Sequence, residues 1–282
     1  MFRYFIISIF LCATAIVANG QDFRLADSLR EAGNLSRAAV EYERCHYLAT
    51  SAAESQMALH SKAECYKQMH CFGQAAATLQ RCAESLDDYL QLTLCLYLSG
   101  QFEQAVATAE EAILSCNNDS SALSSTQSRI PTDLLLIETL ALNEMHCYDS
   151  AYAVALRMAA TLPPEQADSL RTSIENCYRH TPALKKESTA RWLSLCPGAG
   201  HLYAGYPVEA VAAFVINAAA LGFGIWQLFE HCYITAYIGG AGLLGATWPG
   251  SILSAEQHAR KSNVQRSARF NRQCREQLLG IR

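Results

Sequence analysis

The sequence predicts an all-α protein in which a helical-repeat solenoid is followed by a transmembrane helical hairpin. Three observations predict this fold class. The first two thirds of the chain are polar and helix-forming, two uncharged apolar runs follow at 210–229 and 233–253, and a basic segment ends the chain. A helical run of about 20 apolar residues is long enough to cross a hydrocarbon core of roughly 30 Å.

The chain begins with a segment typical of a secretory signal peptide, residues 1–20. Arg3 stands before an apolar core, and the small residues Ala18 and Gly20 favour cleavage before Gln21. Such a signal predicts that the rest of the chain is exported. An uncleaved signal anchor is the alternative interpretation.

Residues 21–180 are predicted to form a helical repeat domain. Helical patterns alternate with short breaks, and the second helix of each unit carries a small alanine four residues before a larger or apolar position. These alanines include Ala38, Ala75, Ala105 and Ala151. A small side chain lets two helices approach closely, so the pattern predicts stacked helix–turn–helix units. An irregular helical bundle is the alternative.

The stretch Gly100 to Ala112, Gly-Gln-Phe-Glu-Gln-Ala-Val-Ala-Thr-Ala-Glu-Glu-Ala, resembles the second half of a tetratricopeptide repeat. The units are less regular than that family's period of about 34 residues, and the family's early Trp is missing from each unit. The resemblance covers about half of the chain. It implies a tetratricopeptide-like solenoid with a concave face lined by the first helix of each unit.

The family pattern also implies which side chains point to the concave face. In this sequence they include Asp27, Arg30, His60, Glu64, Lys67, Tyr97 and Asn143. Their mixture of charges, an aromatic ring and an amide suits recognition of a protein or peptide, and an ordinary solvated face is the alternative. The modest net charge of −4 predicts no nucleic-acid partner.

Cysteine and histidine form two further patterns. Among the 12 cysteines, equivalent positions of neighbouring units suggest the disulfides Cys45–Cys65 and Cys82–Cys95, with buried thiols as the alternative. A His-Cys-aromatic triplet begins at His70, His146 and His231. Thiolate and imidazole are zinc ligands, but the triplets fall at separate turns. We therefore predict packing at turns, with no metal and no cofactor.

Residues 181–190 are predicted to be a linker and residues 191–255 a membrane module. The module opens with the residues Pro197, Gly198, Gly200, Tyr203 and Gly205. They resemble the Pro-Gly-x-Gly-x-x-Tyr-x-Gly signature that precedes the helical hairpin of small bacterial two-span membrane modules. The resemblance implies an anchor without enzymatic activity. A buried hairpin of a soluble domain is the alternative.

Polar and small residues inside the two apolar runs predict how the helices of the hairpin meet. Glycines permit close approach, and Asn217 and Gln227 are candidates for hydrogen bonds between the helices.

The segment 256–282 is predicted to be a basic helical tail. Its cations are Arg260, Lys261, Arg266, Arg269, Arg272, Arg275 and Arg282. This charge favours either a helix that lies along anionic lipid headgroups or a solvated helix.

The charge pattern conflicts with the signal peptide. Cations flank the membrane module on both sides, whereas Glu230 lies between the apolar runs, so the positive-inside rule places both flanks in the cytoplasm. We favour exported repeats, which a membrane entry by residues 189–206 would reconcile with a cytoplasmic tail. A signal anchor in reverse orientation, with cytoplasmic repeats, is the alternative.

Together these patterns predict a membrane-anchored protein-interaction scaffold of a bacterial envelope, in the inner membrane and with periplasmic repeats. A structural subunit of a membrane transport or assembly complex is the alternative. No nucleophile pattern such as Gly-x-Ser-x-Gly occurs, so no enzymatic activity is predicted. The identity of the partner and the oligomeric state stay open.

Overall fold

A computed structural model describes residues 23–118 and 130–280, and the predicted signal peptide lies outside these ranges. The described residues form helices joined by turns, with no strand among them, which confirms the all-α prediction. They fall into two compact units, the first ending at Tyr178 and the second running from Arg179 to Gly280.

The first unit is a succession of helices that range from eight to 17 residues in length. They are α1 (23–31), α2 (Leu35–Leu48), α3 (Ala52–Gln68), α4 (Phe72–Leu79), α5 (Leu86–Leu98), α6 (Phe102–Asn118), α7 (Ile130–Glu144), α8 (Tyr148–Ala160) and α9 (Pro164–Tyr178). From α2 onward each helix packs against the next, and α5 also packs against α7. Stacked helix–turn–helix units and an irregular bundle would both show contacts between neighbours in sequence.

The alanines that the sequence pattern selected lie at the helix contacts. Ala38, Ala75, Ala105 and Ala151 have no exposed surface. Ala38, for example, packs with Tyr42 against α1 and α3. Because protein cores have little free volume, a larger side chain at these positions would push neighbouring helices apart.

The same turn ends α1, α3, α5 and α7, and it recurs in the second unit. Its first residue has a left-handed backbone with φ between 57° and 79°, and these residues are Gly33, His70, Gly100, His146 and His231. The N–H groups of this residue and the next one donate back into the last helical turn, as His70 does to Lys67 and Cys71 to Tyr66. This is the Schellman motif, in which glycine is the usual left-handed residue.

The His-Cys-aromatic triplets are therefore Schellman turns with histidine in the glycine position. In all three, the histidine ring lies beside the aromatic ring two residues later, with centroids 5.8 to 6.2 Å apart. This contact gives the triplet a packing role at the turn.

The structure contradicts the two disulfides suggested by the sequence. Cys65, Cys82 and Cys95 are thiols, so the pairs Cys45–Cys65 and Cys82–Cys95 are wrong. All four cysteines are buried, and burial raises the pKa of Cys82 to about 11. They fill helix contacts as small apolar side chains.

The second unit combines short and long helices. They are α10 (Glu187–Leu193), α11 (Ala199–Ala204), α12 (Pro207–Phe229), α13 (Tyr233–Thr235), a π-helical segment (Ala236–Gly242) and α14 (Leu243–Gly280). α12 packs against the π-helical segment and α14, while α10 and α11 pack against each other and against α14.

The two apolar runs of the sequence fold differently from each other. In the part of the chain that the structure describes, α12 is the one helix long and apolar enough to cross a membrane. The second run, 233–253, passes through α13 and the π-helical segment into α14, which continues through the basic tail to Gly280. Of the two similar spanning helices expected, the described residues therefore contain one with the required length and composition.

Small and polar residues set the contact between α12 and its neighbour. A Cβ atom on Gly240 would lie 2.5 Å from the Cα atom of Gly224, so the two backbones touch. Thr247 donates a hydrogen bond to Asn217, with 3.0 Å between the oxygens. Close approach is therefore confirmed at Gly224 and Gly240 but not at Gly222 or Gly245, where an added Cβ would have no neighbour within 4 Å. The hydrogen bond predicted for Asn217 is confirmed.

Candidate functional site

Two surfaces contain the residues that the sequence singled out. We call the first the polar face; it consists of Asp27, Arg30, His60, Glu64, Lys67, Asp88 and Gln91 on α1, α3 and α5. We call the second the base; it consists of residues 185–206 and 251–266.

On α1, the polar face is fixed by a buried tyrosine. Arg30 and Asp27 form an ion pair at 3.4 Å. Tyr42 of α2 has no exposed surface, donates a hydrogen bond to Asp27, and lies with its ring 5.9 Å from the Arg30 guanidinium. The buried ring therefore holds both charged groups in place.

On α3, the polar face contains an ion pair whose lysine also bonds to α5. Glu64 and Lys67 lie 2.6 Å apart, and Lys67 also donates a hydrogen bond to Gln91 at 2.9 Å. The hydrogen bond from Lys67 lowers the pKa of Glu64 despite partial burial, and the more distant Arg30 of α1 adds to the decrease. Charges on neighbouring helices thus act on one another across this face.

His60 and Asp88 form the remaining contact of the polar face, at 3.5 Å. Asp88 also completes a capping box with Ser85 at the start of α5. Burial alone would raise the pKa of Asp88, but hydrogen bonds from Ser85 and Glu84 hold it below its usual range. The face therefore presents groups of both charges from three helices.

The last two predicted partner-binding residues lie in different surroundings. Tyr97 is half-buried, with its ring 5.7 Å from that of Phe102. Asn143 is only 1% exposed and accepts a hydrogen bond from Tyr178 at 3.0 Å. Because an internal amide does not reach a partner, Asn143 is a packing residue, which corrects the expectation from the sequence.

α7 carries a buried carboxyl group that the sequence patterns did not identify. Glu138 is 1% exposed, and its Oε2 atom has no hydrogen-bond partner among the described residues. Burial raises the pKa of Glu138 to about 7; Arg157 opposes this increase and Glu110 adds to it. The one signal in the sequence was an acid within an apolar stretch of a helix.

In the base, the predicted motif forms α11 with a left-handed glycine at each end. Gly198 has a φ of 88° and Gly205 a φ of 91°. Between them, a Cβ atom on Gly200 would lie 2.4 Å from the carbonyl oxygen of Ala190. The motif glycines therefore serve the tight fold of α11 and its contact with α10.

A histidine of the motif joins α11 to α14. His201 is buried, and its Nε2 atom lies 3.3 Å from the hydroxyl of Ser254. Burial, and after it the nearby His258, lowers the pKa of His201. The His258 ring in turn lies 4.3 Å from that of Tyr206, between centroids. This packing holds α11 against α14, close to the end of the apolar part of α14.

The linker is also attached to α14. Asn263 donates to the carbonyl of Lys185 at 2.7 Å and accepts from its N–H at 2.8 Å. Glu187 and Arg260 form a two-point ion pair at 3.0 and 3.1 Å. The Lys185 ammonium donates to the carbonyl of Tyr203 at 2.6 Å. Residues before and after the predicted membrane module thus lie together.

The second unit also contains an apolar groove of about 370 Å³ between α12 and the π-helical segment. Leu221, Gly224 and Ile225 line it from α12, and Tyr237 and Leu244 from the other side. It is shaped by the contact between Gly224 and Gly240.

Within residues 23–118 and 130–280, no group of three or more His, Cys, Asp or Glu side chains is arranged to hold a metal ion. No protein-family model, no curated protein and no solved structure matches this chain. The candidate surfaces are therefore interpreted from their geometry and chemistry.

Proposed function

We propose that this chain is a membrane-anchored interaction scaffold of a bacterial envelope. The first unit is a tetratricopeptide-like solenoid that binds a protein or peptide through the polar face. α12 and the apolar part of α14 are its transmembrane hairpin. No enzymatic activity is proposed.

The observation that carries this proposal is the apolar outer surface of α12. Phe214, Ile216 and Trp226 are 57%, 52% and 59% exposed. Moving one large apolar side chain out of water contributes about 1.5–3 kcal/mol, and monomeric soluble proteins rarely expose continuous apolar patches of this kind. A lipid bilayer supplies the apolar surroundings that this helix needs.

The cellular location rests on the sequence patterns. The signal-like residues 1–20 favour a periplasmic first unit, and the resemblance to bacterial two-span modules favours the inner membrane.

The second candidate function is a structural subunit of a membrane transport or assembly complex. The apolar groove between α12 and the π-helical segment favours it, because a helix of another subunit could pack there as well as lipid. In that case, removal of residues 190–282 would abolish binding of the partner rather than only release the chain from the membrane.

The anchor can be tested by alkaline carbonate extraction of membranes. We expect the natural chain to stay in the membrane pellet. The double change Phe214→Arg and Leu221→Arg should release or destabilise it, because each central arginine costs about 2.5–3.5 kcal/mol in a spanning helix. The control Leu94→Arg changes an exposed leucine of α5 and should leave the chain in the pellet.

Partner binding can be tested with a photoreactive benzoylphenylalanine at position 64 of the full chain. We expect a defined crosslinked band. The double change Arg30→Glu and Lys67→Glu should reduce its intensity at least about tenfold, because reversing the two charges replaces attraction to the partner with repulsion. The same photoreactive residue at exposed position 171 on α9 is the control. Equal bands from both positions would contradict binding at the polar face.

A further inference from the structure

We propose that the base binds anionic phospholipid headgroups, with the linker and the basic tail on one face of the bilayer and the turn at Glu230–Cys232 on the other. This inference rests on the membrane anchor proposed above. It adds the orientation of the anchor and the class of lipid that it contacts.

The lengths of α10 and α11 determine that both flanks lie on one face. They contain seven and six residues, which correspond to about 10 Å of helix each, against roughly 30 Å of hydrocarbon. Neither helix can cross the membrane, so the third crossing considered for residues 189–206 has no helix to make it.

The hydrogen bonds of the base lead to the same arrangement. Lys185 is held by Asn263, and Glu187 by Arg260. The linker therefore lies against α14 after its apolar part, and the chain leaves the membrane where it entered. The turn between α12 and α13 is left at the opposite end of the hairpin.

Cations concentrate at the base. Its basic residues are Lys185, Lys186, Arg191, Arg260, Lys261 and Arg266. It contains two acids, Glu256 and Glu187, and Glu187 is already paired with Arg260. Burial, and after it the positive charge of Arg266, lowers the pKa of Lys185. A phosphate near this group of cations would offset their mutual repulsion.

Exposed apolar side chains lie beside these cations. Trp192 of α10 is 72% exposed, and Leu195 and Leu202 are 52% and 64% exposed. Tryptophan prefers the boundary between headgroups and acyl chains. Short helices that combine exposed apolar groups with cations bind at that boundary, and each cation near an anionic surface contributes about 1 kcal/mol.

The orientation can be tested with cysteines that the chain already contains. Cys196 of the base and Cys232 of the turn are both exposed. Spheroplasts and inverted membrane vesicles are treated with a membrane-impermeant maleimide, and each labelled peptide is quantified by mass spectrometry. We expect Cys196 to be labelled in one preparation and Cys232 in the other. Labelling of both from the same side would overturn the proposal.

The first unit provides a second measurement in the same experiment. Cys71 and Cys147 are exposed thiols of this unit, and the linker begins directly after it. We expect both to be labelled from the same side as Cys196. Labelling together with Cys232 would require a further crossing before the base and would overturn the proposal.

The lipid preference can be tested by native mass spectrometry of the full chain in mild detergent, with phosphatidylglycerol and phosphatidylcholine added in equal amounts. More phosphatidylglycerol than phosphatidylcholine should remain bound to the chain. The double change Lys185→Gln and Arg266→Gln should lower that preference roughly tenfold. Arg272→Gln, farther along α14, is the matched control and should change it less than about twofold. No preference in the natural chain, or equal loss in the control, would overturn headgroup binding at the base.

The outcomes separate this inference from the anchor itself. Complete extraction of the chain from membranes by alkaline carbonate would refute the proposed anchor. A chain that stays membrane-bound but shows no lipid preference, or has Cys196 and Cys232 on one side, would refute only the inference.

Discussion

Glu138 makes the stability of the first unit depend on pH. An unfolded glutamate has a pKa of about 4.3, whereas burial raises the pKa of Glu138 in the folded chain to about 7. Between these values the folded state keeps a proton that the unfolded state has lost. The contribution of the protonated group to stability is therefore complete below about pH 4.3 and is lost as the pH rises through about 7.

We expect Glu138→Gln to stabilise the chain at pH 8 by on the order of 2–3 kcal/mol, with a much smaller change at pH 4. The amide has nearly the same shape but needs no proton to stay neutral. Thermal unfolding in mild detergent at both pH values measures the difference. Glu175→Gln, at an exposed position of α9, is the control. An equal effect of Glu138→Gln at both pH values would contradict the linkage.

Gly200 tests whether the motif of the base is needed for packing. We expect Gly200→Ala to destabilise the second unit by about 1–3 kcal/mol, because the new methyl group would lie 2.4 Å from a backbone oxygen. Gly245→Ala is the matched control, since nothing lies within 4 Å of its added carbon. Melting temperatures in mild detergent should fall for Gly200→Ala only. Equal melting temperatures would show that α10 and α11 can separate at little cost.

These residues differ in how far sequence can predict them. Gly198, Gly200 and Gly205 were singled out by their resemblance to a membrane-module signature, and the structure shows the close contacts and left-handed conformations that require glycine there. Asn143 and Glu138 were not recognised as buried, because their burial depends on how neighbouring helices pack against α7. A face assigned from repeat positions alone does not contain that information.

At the scale of single elements, the turns show how one geometry is reached by two sequences. The triplets at His70 and His146 were expected at turns, but they were not expected to share the backbone conformation of Gly33 and Gly100. Residues other than glycine seldom adopt a left-handed backbone conformation. For this reason the histidine turns and the glycine turns were not recognised as one type. The contact between the histidine and the aromatic ring offsets part of the backbone strain.

Substitution at His70 should report this strain. A residue other than glycine costs roughly 1–2 kcal/mol in a left-handed conformation, and a β-branched residue is the least suitable. We therefore expect unfolding temperatures in the order His70→Gly, natural chain, His70→Val, from highest to lowest. If His70→Val matched the natural chain, the positive φ at this turn would be of no energetic importance.

The second apolar run shows two features that hydropathy does not predict, the end of a helix and a π-helical segment. A helix backbone need not end where its side chains change from apolar to basic, so the boundary placed at residue 255 lies within a continuous helix, α14. Pro249 also lies inside this helix. The π-helical segment, in turn, depends on packing against α12, which no window of hydropathy describes.

At the scale of the whole chain, the linker 181–190 was predicted only as a connection between two parts. The structure shows that its second half is bound along α14. This attachment ties the chain before the membrane module to the chain after it. A linker bound in this way is part of the second unit and not a flexible tether.

Protease access to the linker should measure this attachment. Asn263→Ala removes two hydrogen bonds to the backbone of Lys185, worth about 1–3 kcal/mol together. We expect trypsin to cleave after Lys185 and Lys186 roughly tenfold faster. Arg260→Ala breaks an exposed ion pair, worth about 0–1 kcal/mol, and should have a smaller effect. Equal cleavage rates for Asn263→Ala and the natural chain would show that the linker is not held.

The π-helical segment between α13 and α14 has a consequence for insertions and deletions. A π-helical turn accommodates about one residue more than an α-helical turn, so it absorbs a residue without altering the rotational phase of the helix that follows. An uninterrupted α-helix through 236–242 would turn α14 by roughly 100°, carrying Thr247 away from Asn217 and Ser254 away from His201. Deletion of one residue within 236–242 would restore α-helical geometry and keep Thr247 beside Asn217 and Ser254 beside His201. Loss of one residue between 248 and 253 would instead rotate Ser254 away from His201 and leave Thr247 beside Asn217.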